Sequence, residues 1–395
     1  MTALRNVGRL FSPGEPVRAD VDVLIAEGRV AAVVPAGTGY PSDDDFDCRG
    51  GLLTPGLIDA HSHPLYLRPR LEEVARRAAG STYSQIAREG GGINATVHAT
   101  RQAPLEAIEE SARSRFSRWL AQGTTTLEAK TGYWLERAGE LQGLALLSRL
   151  GLDPDLPHLV PTYLAAHEVP LESRADRRGY VQAVQDWCPA AADSGAVFCD
   201  VFCDQGAFTV EESQAILVAG RAAGLKLRLH ADEIGLTGGS RLAARLGAIS
   251  ADHLLRIGAA EIESLAAAGT VATLCPVTAL DMGQLPPARE LLEAGVTVAL
   301  GTDHNPGTSG TTRMSLIVYL AVVELKMTVA EALTAATAGG ARSLALTDRG
   351  SVSAGQLADL VLWDADHEGA FAWEPGLRAK AVWRAGRLVA SSEIP

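Results

Sequence analysis

Long apolar runs are missing from this chain of 395 residues. None approaches the roughly 20 residues that cross a bilayer as a helix, so no membrane partner is expected. The opening stretch, MTALRNVGRLFSPGEPV, holds no apolar segment of signal-peptide length, and a cytoplasmic location is the expectation. Cysteine is scarce: Cys48, Cys188, Cys199, Cys203 and Cys275 are odd in number, scattered, and form no C-x-x-C pair. That argues against a disulfide framework and against a cysteine zinc site, leaving reduced thiols. Positive charge is in deficit, with a formal net charge of −12, which disfavours nucleic acid and anionic lipid as partners. An anionic substrate would then need its own local cluster of cations. Low-complexity tracts and solenoid-length repeats are absent too.

What the chain does have is a recurring unit, a short apolar run, a polar turn and then a helix-like stretch. The runs are LLTPGLIDAH, TTTLEAK, HLVPTYLAAH, AVFCDVFCD, LKLRLHADE, AISADHL, TVATLCP and TVALGTD. Between them lie stretches such as TVEESQAILVAGRAAG and GAAEIESLAAAG, apolar at helical spacing and closed by glycine. Near-continuous apolar strands alternating with helices imply a parallel sheet buried on both faces. Eight units fit a (β/α)8 TIM-like barrel. A doubly wound sheet is the competitor, but no G-x-G-x-x-G follows the first run. Both ends of the chain read as glycine-punctuated β segments, VDVLIAEGRVAAVVPAG near the start and GQLADLVLWDAD with LRAKAVWRAGRLVASS near the finish. The expected organisation is a barrel over 53–345, with 1–52 and 346–395 joining into one small β-sandwich.

In such barrels the C-terminal strand ends form the active face. His61 and His63 close the first run, and alternate residues of a strand point to one side. His167 closes the third run, His230 the fifth with Glu233 three residues on, His253 the sixth and Asp303 the eighth. With His304, six of the nine histidines fall at these ends. Any one of them alone reads as a hydrogen-bonded strand terminus, whereas together they read as a metal site. Imidazoles plus one carboxylate suit Zn²⁺ or a similar first-row ion with a position left for water. Such an ion lowers the pKa of its water toward roughly 7. His98, His158 and His367 lack this context, and His304 reads as structural.

TPGLIDAHSHP, LHADE, SADHL and TDHNPGTS, in this order, resemble the amidohydrolase superfamily. GSTYSQIAREGGGI, TTTLEAKTGYWL, YLAAHEVP, DVFCDQGAF, GAISADHL and TDHNPGTS narrow the resemblance to the imidazolonepropionase family, the ring-opening enzymes of histidine breakdown. The resemblance implies metal ligation by His61, His63, His230 and Asp303, with Glu233, His253 and Asp303 catalytic. It implies substrate contacts from Arg70, Tyr83, Tyr133, His167, Glu233, Asn305, Gly307 and Thr308. DVFCDQG lacks the lysine that binuclear relatives carbamylate, so one transition-metal ion is implied, Zn or Fe. The implied reaction is hydrolysis of a small anionic cyclic amide, 4-imidazolone-5-propanoate, to N-formimidoyl-L-glutamate.

Two departures from the family bear on the substrate. LYLRPR replaces a small turn after His63, leaving Arg68 as a rival to Arg70, which could also be a helix-surface ion pair with LEEVARR. CPVTALDMGQLPP is shorter than its family counterpart and lacks an aromatic loop. Tyr83 and Tyr133 also suit simple packing, and Asn305, Gly307 and Thr308 suit a turn. A deaminase of the same superfamily, a hydrolase of another cyclic amide or amidine, and a metal-free scaffold remain alternatives. Monomer and homodimer are both left open.

Overall fold

The computed structural model describes residues 1–81, 85–86 and 89–391. Five strands come first: β1 (Thr2–Leu10), β2 (Arg18–Ala26), β3 (Arg29–Pro35), β4 (Asp44–Asp47) and β5 (Leu52–Pro55). The barrel follows with β6 (Leu57–Asp59), β7 (Thr124–Lys130), β8 (His158–Ala166) and β9 (Phe198–Cys203). It continues with β10 (Lys226–Ala231), β11 (Ser250–His253), β12 (Val271–Leu274) and β13 (Val298–Leu300). These eight strands pair in sequence order, all parallel, and correspond to the eight apolar runs. The ring closes at the β6/β13 seam, where Ala60 N–H donates to Leu300 O at 3.1 Å and Asp303 N–H to His61 O at 2.9 Å. Gly301 makes that seam possible, because a Cβ there would lie 2.7 Å from the His61 Cβ.

The strands are buried because helices cover them outside and side chains fill them inside. All seven residues of β7 are buried, charged ones included. Local signals start the outer helices where the chain must turn. Thr209 and Glu212 form a reciprocal capping box at the head of the helix Val210–Ala222.

The chain ends with β14 (Leu360–Trp363), β15 (Ala379–Arg384) and β16 (Arg387–Ser391). These join the first five strands in one mixed sheet, ordered β16-β15-β14-β5-β1-β2-β3, with β4 also on β1. The antiparallel β14–β5 pairing stitches the two termini together. Val30 N–H donates to Gln356 O at 2.9 Å, so the sheet bends back on itself around its own apolar core of Leu4, Val7, Val23, Leu360 and Trp383. The expected small β domain is therefore one curled sheet. Among the described residues no helix is long and apolar enough to cross a membrane.

Candidate active site

The strand ends bring His61, His63, His230 and Asp303 to one point. The His63 Nε2 lies 3.2 Å from the His61 Nε2 and 3.3 Å from the His230 Nε2. The Asp303 Oδ1 lies 3.5 Å from the His61 Nε2 and 3.4 Å from the His63 Nε2. Ligand atoms on a tetrahedral ion with 2.0–2.1 Å bonds stand about 3.3–3.4 Å apart, so the spacing is that of a coordination shell.

The protonation pattern agrees with a metal site. The His61 Nδ1 sits 2.7 Å from Asp252 and the His230 Nδ1 3.1 Å from Asp200. Each Nδ1–H donates to its carboxylate, leaving both Nε2 lone pairs facing inward. Burial depresses His61 and His63, and takes His230 down to about 4, so all three rings are neutral at pH 7. Three inward groups and a carboxylate at such distances repel unless a cation lies among them. The donor set thus fits a divalent metal ion.

Beneath this cluster lies a charged layer that fills the barrel. The Lys130 Nζ contacts Glu128 at 2.8 Å and Asp200 at 2.6 Å. Arg228 contacts Glu128 at 3.0 Å and Asp252 at 2.8 Å. The sequence reading missed this layer. Its signal was there, in the charges interrupting TTTLEAK, AVFCDVFCD and LKLRLHADE, since charge inside a buried strand requires a partner.

Glu233 and His253 face the cluster from β10 and β11. Glu233 is buried and lies on a loop, where the Asp204 carboxylate accepts from the N–H groups of Glu233 (2.6 Å), Ile234 (2.9 Å) and Gly235 (3.0 Å). Burial pushes its carboxyl up to about 7, with Asp303 and Asp204 adding to the rise and His253 opposing it. Such a group can both take and return a proton near neutrality. The His253 Nδ1 is 3.7 Å from the Glu233 Oε1, and neither ring nitrogen has a hydrogen bond. Burial disfavours the charged ring, but Glu233 and Asp303 outweigh it and raise the His253 pKa. Asp252, the residue before His253, serves His61 and Arg228. His253 and Asp303 adopt positive φ of 73° and 47°, a strained backbone region for residues with side chains. Asp303 is anchored by Thr278, and although burial opposes ionisation, its bond with His63 keeps its carboxyl well below the usual range.

A cavity of about 820 Å³ opens above these groups, lined among others by Arg70, Tyr133, His167, Phe202, Asn305 and Thr308. His167 donates from Nδ1 to Gly132 O at 3.1 Å and stacks on His63, with ring centroids 5.0 Å apart. Arg70 precedes the helix Leu71–Ala78, pairing with Glu73 at 3.0 Å and donating to the Thr96 Oγ1 at 2.7 Å. Its ion pair and its place on the cavity wall thus coexist. Arg68 is exposed and does not line the cavity. Asn305 ties its own turn, its Oδ1 accepting from the N–H groups of Gly307 and Thr308, both at 2.8 Å. Gly307 leaves room for Arg70, since a Cβ there would come 1.9 Å from the Arg70 Nη2 and push the guanidinium aside. Tyr83 lies outside the described residues. His304 bonds Tyr66 at 2.8 Å and Thr311 O at 3.0 Å, a structural place. Sequence reading overlooked Arg77, a second cation on the wall, which donates to Gly307 O at 2.7 Å.

Comparisons with known proteins fit this geometry. Residues 68–390 match the Amidohydrolase family model. An imidazolonepropionase of Anaeromyxobacter sp. (strain K) is 45% identical over 351 residues, covering 87% of this chain and 83% of that protein. The imidazolonepropionase of Myxococcus xanthus (strain DK1622) is 41% identical over 382 residues, covering 94% and 90%. In fold, the chain is similar to a zinc-bound adenosine deaminase from Xanthomonas campestris, with a TM-score of 0.76 at 20% identity, covering 99% of this chain and 93% of that one. The family model and these relatives agree, and the chain belongs to the imidazolonepropionase family of amidohydrolases, hydrolases of carbon–nitrogen bonds in cyclic amides.

Proposed function

We propose that this chain hydrolyses 4-imidazolone-5-propanoate to N-formimidoyl-L-glutamate, with one Zn or Fe ion held by His61, His63, His230 and Asp303. The observation that carries the reading is a close imidazole–carboxylate cluster beneath a cavity with Arg70 on its wall. The identity of 41–45% to imidazolonepropionases along most of the chain supports the substrate.

When bound, the ion supplies Lewis-acid activation of water and of the ring carbonyl. Glu233 takes a proton from the attacking water and returns it to the departing ring nitrogen. The water oxygen bonds to the ring carbonyl carbon as the ring C–N bond breaks, which leaves a new carboxylate and the formimidoyl amine. His253, raised toward its charged form, donates to the carbonyl oxygen as negative charge grows there. Asp303 holds its place at the ligand cluster and accepts a second proton. Tyr133 and His167 flank the ring, while Asn305, Gly307 and Thr308 shape the turn beside Arg70. The Arg70 guanidinium reads the propanoate carboxylate, a local attraction in a protein of net charge −12.

The test is turnover of 4-imidazolone-5-propanoate by metal-replete protein, with N-formimidoyl-glutamate identified by mass spectrometry and ammonia assayed in parallel. Product without ammonia supports the reading, and ammonia in step with substrate loss replaces it with a deaminase. Arg70→Ala should lower kcat/KM about 10- to 150-fold, chiefly through KM, as expected for one charged hydrogen-bond pair. Arg68→Ala should leave it unchanged. Equal effects from both, or none from Arg70→Ala, would remove the carboxylate from that wall.

A further inference from the structure

Residues 131–135 form the loop after β7, and one buried carboxylate holds it. Glu140 lies in the first turn of the helix Arg137–Leu150 and is 0% exposed. Its carboxylate accepts from the N–H groups of Gly132 at 3.0 Å, Trp134 at 3.0 Å and Leu135 at 2.9 Å. Each of these donors is uncharged, whereas every carboxylate of the charged layer meets a cation. Burial raises the Glu140 pKa, and bonds from the Thr131 side chain and the three N–H groups oppose the rise. A carboxylate buried without a counter-charge is costly, and this one is kept where the loop carries Tyr133.

The same loop is strained. Leu135 takes a φ of 52° and Gly132 one of 107°, and a leucine in that region is uncommon. Gly132 also touches the histidine it supports. A Cβ there would lie 3.1 Å from the His167 Nδ1, whose N–H donates to Gly132 O. The next residue, Tyr133, lines the cavity with its ring centroid 5.3 Å from that of His167. One carboxylate thus fixes the backbone beneath two rings that face the cavity.

We propose that Glu140 is a positioning residue for substrate binding, which fixes residues 131–135 so that Tyr133 and His167 present one arrangement of rings to the substrate. This rests on the proposed function, in which those rings flank the substrate ring. Glu140 is sealed beneath the loop, so it acts on the substrate only through them.

The test is Glu140→Gln in Zn²⁺-loaded protein. Glutamine keeps the shape and one acceptor oxygen, but turns an amide N–H group toward the donors of the loop. Expected is a KM for 4-imidazolone-5-propanoate raised about tenfold or more, with kcat within about threefold and metal content as in the parent. A residue that only supports the fold would lower the melting temperature and the active fraction with KM unchanged, and that result overturns the inference. NMR of [¹⁵N]histidine-labelled protein reads the His167 ring without any substrate. The parent should hold one tautomer with the proton on Nδ1, and Glu140→Gln a mixture of both. A single Nδ1–H tautomer in both proteins overturns the inference. Absence of turnover by the parent fails the proposed substrate instead, and the NMR then decides the role of Glu140. Should Glu140→Gln fold poorly, hydrogen exchange of the parent decides. Protection of the Gly132, Trp134 and Leu135 amides equal to that of β7 supports the proposal, and exchange as fast as in an open loop rejects it.

Discussion

Two layers of ionisable side chains stand one above the other in the barrel, and they are built oppositely. In the lower layer, Glu128, Lys130, Asp200, Arg228 and Asp252 are each at most 1% exposed, and each has an opposite charge within 3.0 Å. In the upper layer, His253 has no hydrogen bond, the His63 Nδ1 has none, and the nearest ion contact between Glu233 and His253 is 3.7 Å. Burial is nearly equal, so burial alone does not separate structural from reactive groups. Partnership does. A buried charge with partners holds geometry, whereas a buried titratable group without one is kept for a ligand or a proton.

The sharpest way to break the comparison is to neutralise one member of each layer. Glu233→Gln should lower kcat by roughly 10²–10⁴ with metal content and melting temperature unchanged, because a proton carrier is lost and no packing is. A kcat within a few-fold of the parent would move the proton transfer elsewhere. Lys130→Met should do the reverse kind of damage. It takes the ammonium partner from Asp200 and leaves Glu128 with Arg228 alone, a loss of about 3–5 kcal/mol in urea unfolding. Destabilisation below about 1 kcal/mol, the size of a surface pair, would show that the lower layer does not hold the barrel together.

A finer cut compares the supports of two histidines, His61 and His63. Asp252→Asn removes the carboxylate that fixes the His61 tautomer and should weaken metal binding about 10- to 100-fold by chelator competition. His167→Phe keeps a ring stacked on His63, which has no such carboxylate, and should change metal affinity little. Equal losses from both substitutions would mean that orientation by hydrogen bond is not what separates these histidines.

A further effect is expected far from the site. His158 is held down to about 4, by burial first and then by Arg349 and Arg384. Its folded pKa lies below the unfolded value of 6.5, so the unfolded chain binds the extra proton between those values. Stability should therefore fall as pH drops from 6.5 to 4, by at most about 1.4 kcal/mol per pH unit from this one group. His158→Gln should flatten that part of the stability profile without altering it above pH 7. An unchanged slope would assign the acid sensitivity to the other buried histidines.

Much of the site was readable before any coordinates. His61 and His63 share a face because a strand has a period of two, and His230, His253 and Asp303 each end an apolar run. The barrel was readable for the same reason, since a parallel strand buried on both faces shows as an unbroken apolar run. Partners distant in sequence were not. Asp252 meets His61 across 191 positions, and nothing local in SADHL distinguishes its aspartate from a companion of His253. Arg70 and Arg68 had equal chemistry, and only the cavity wall separates them.

By itself the sequence determined the periodicities, the placing of ionisable residues at strand ends, and a family resemblance dense enough to imply a reaction. These are local properties, set by the side-chain alternation of strands and by short motifs. Tertiary structure decided which charges are paired and which stand unpartnered, and that the termini form one curled sheet. Those outcomes depend on closing a ring of eight strands, which brings into contact residues that no short window of sequence contains together.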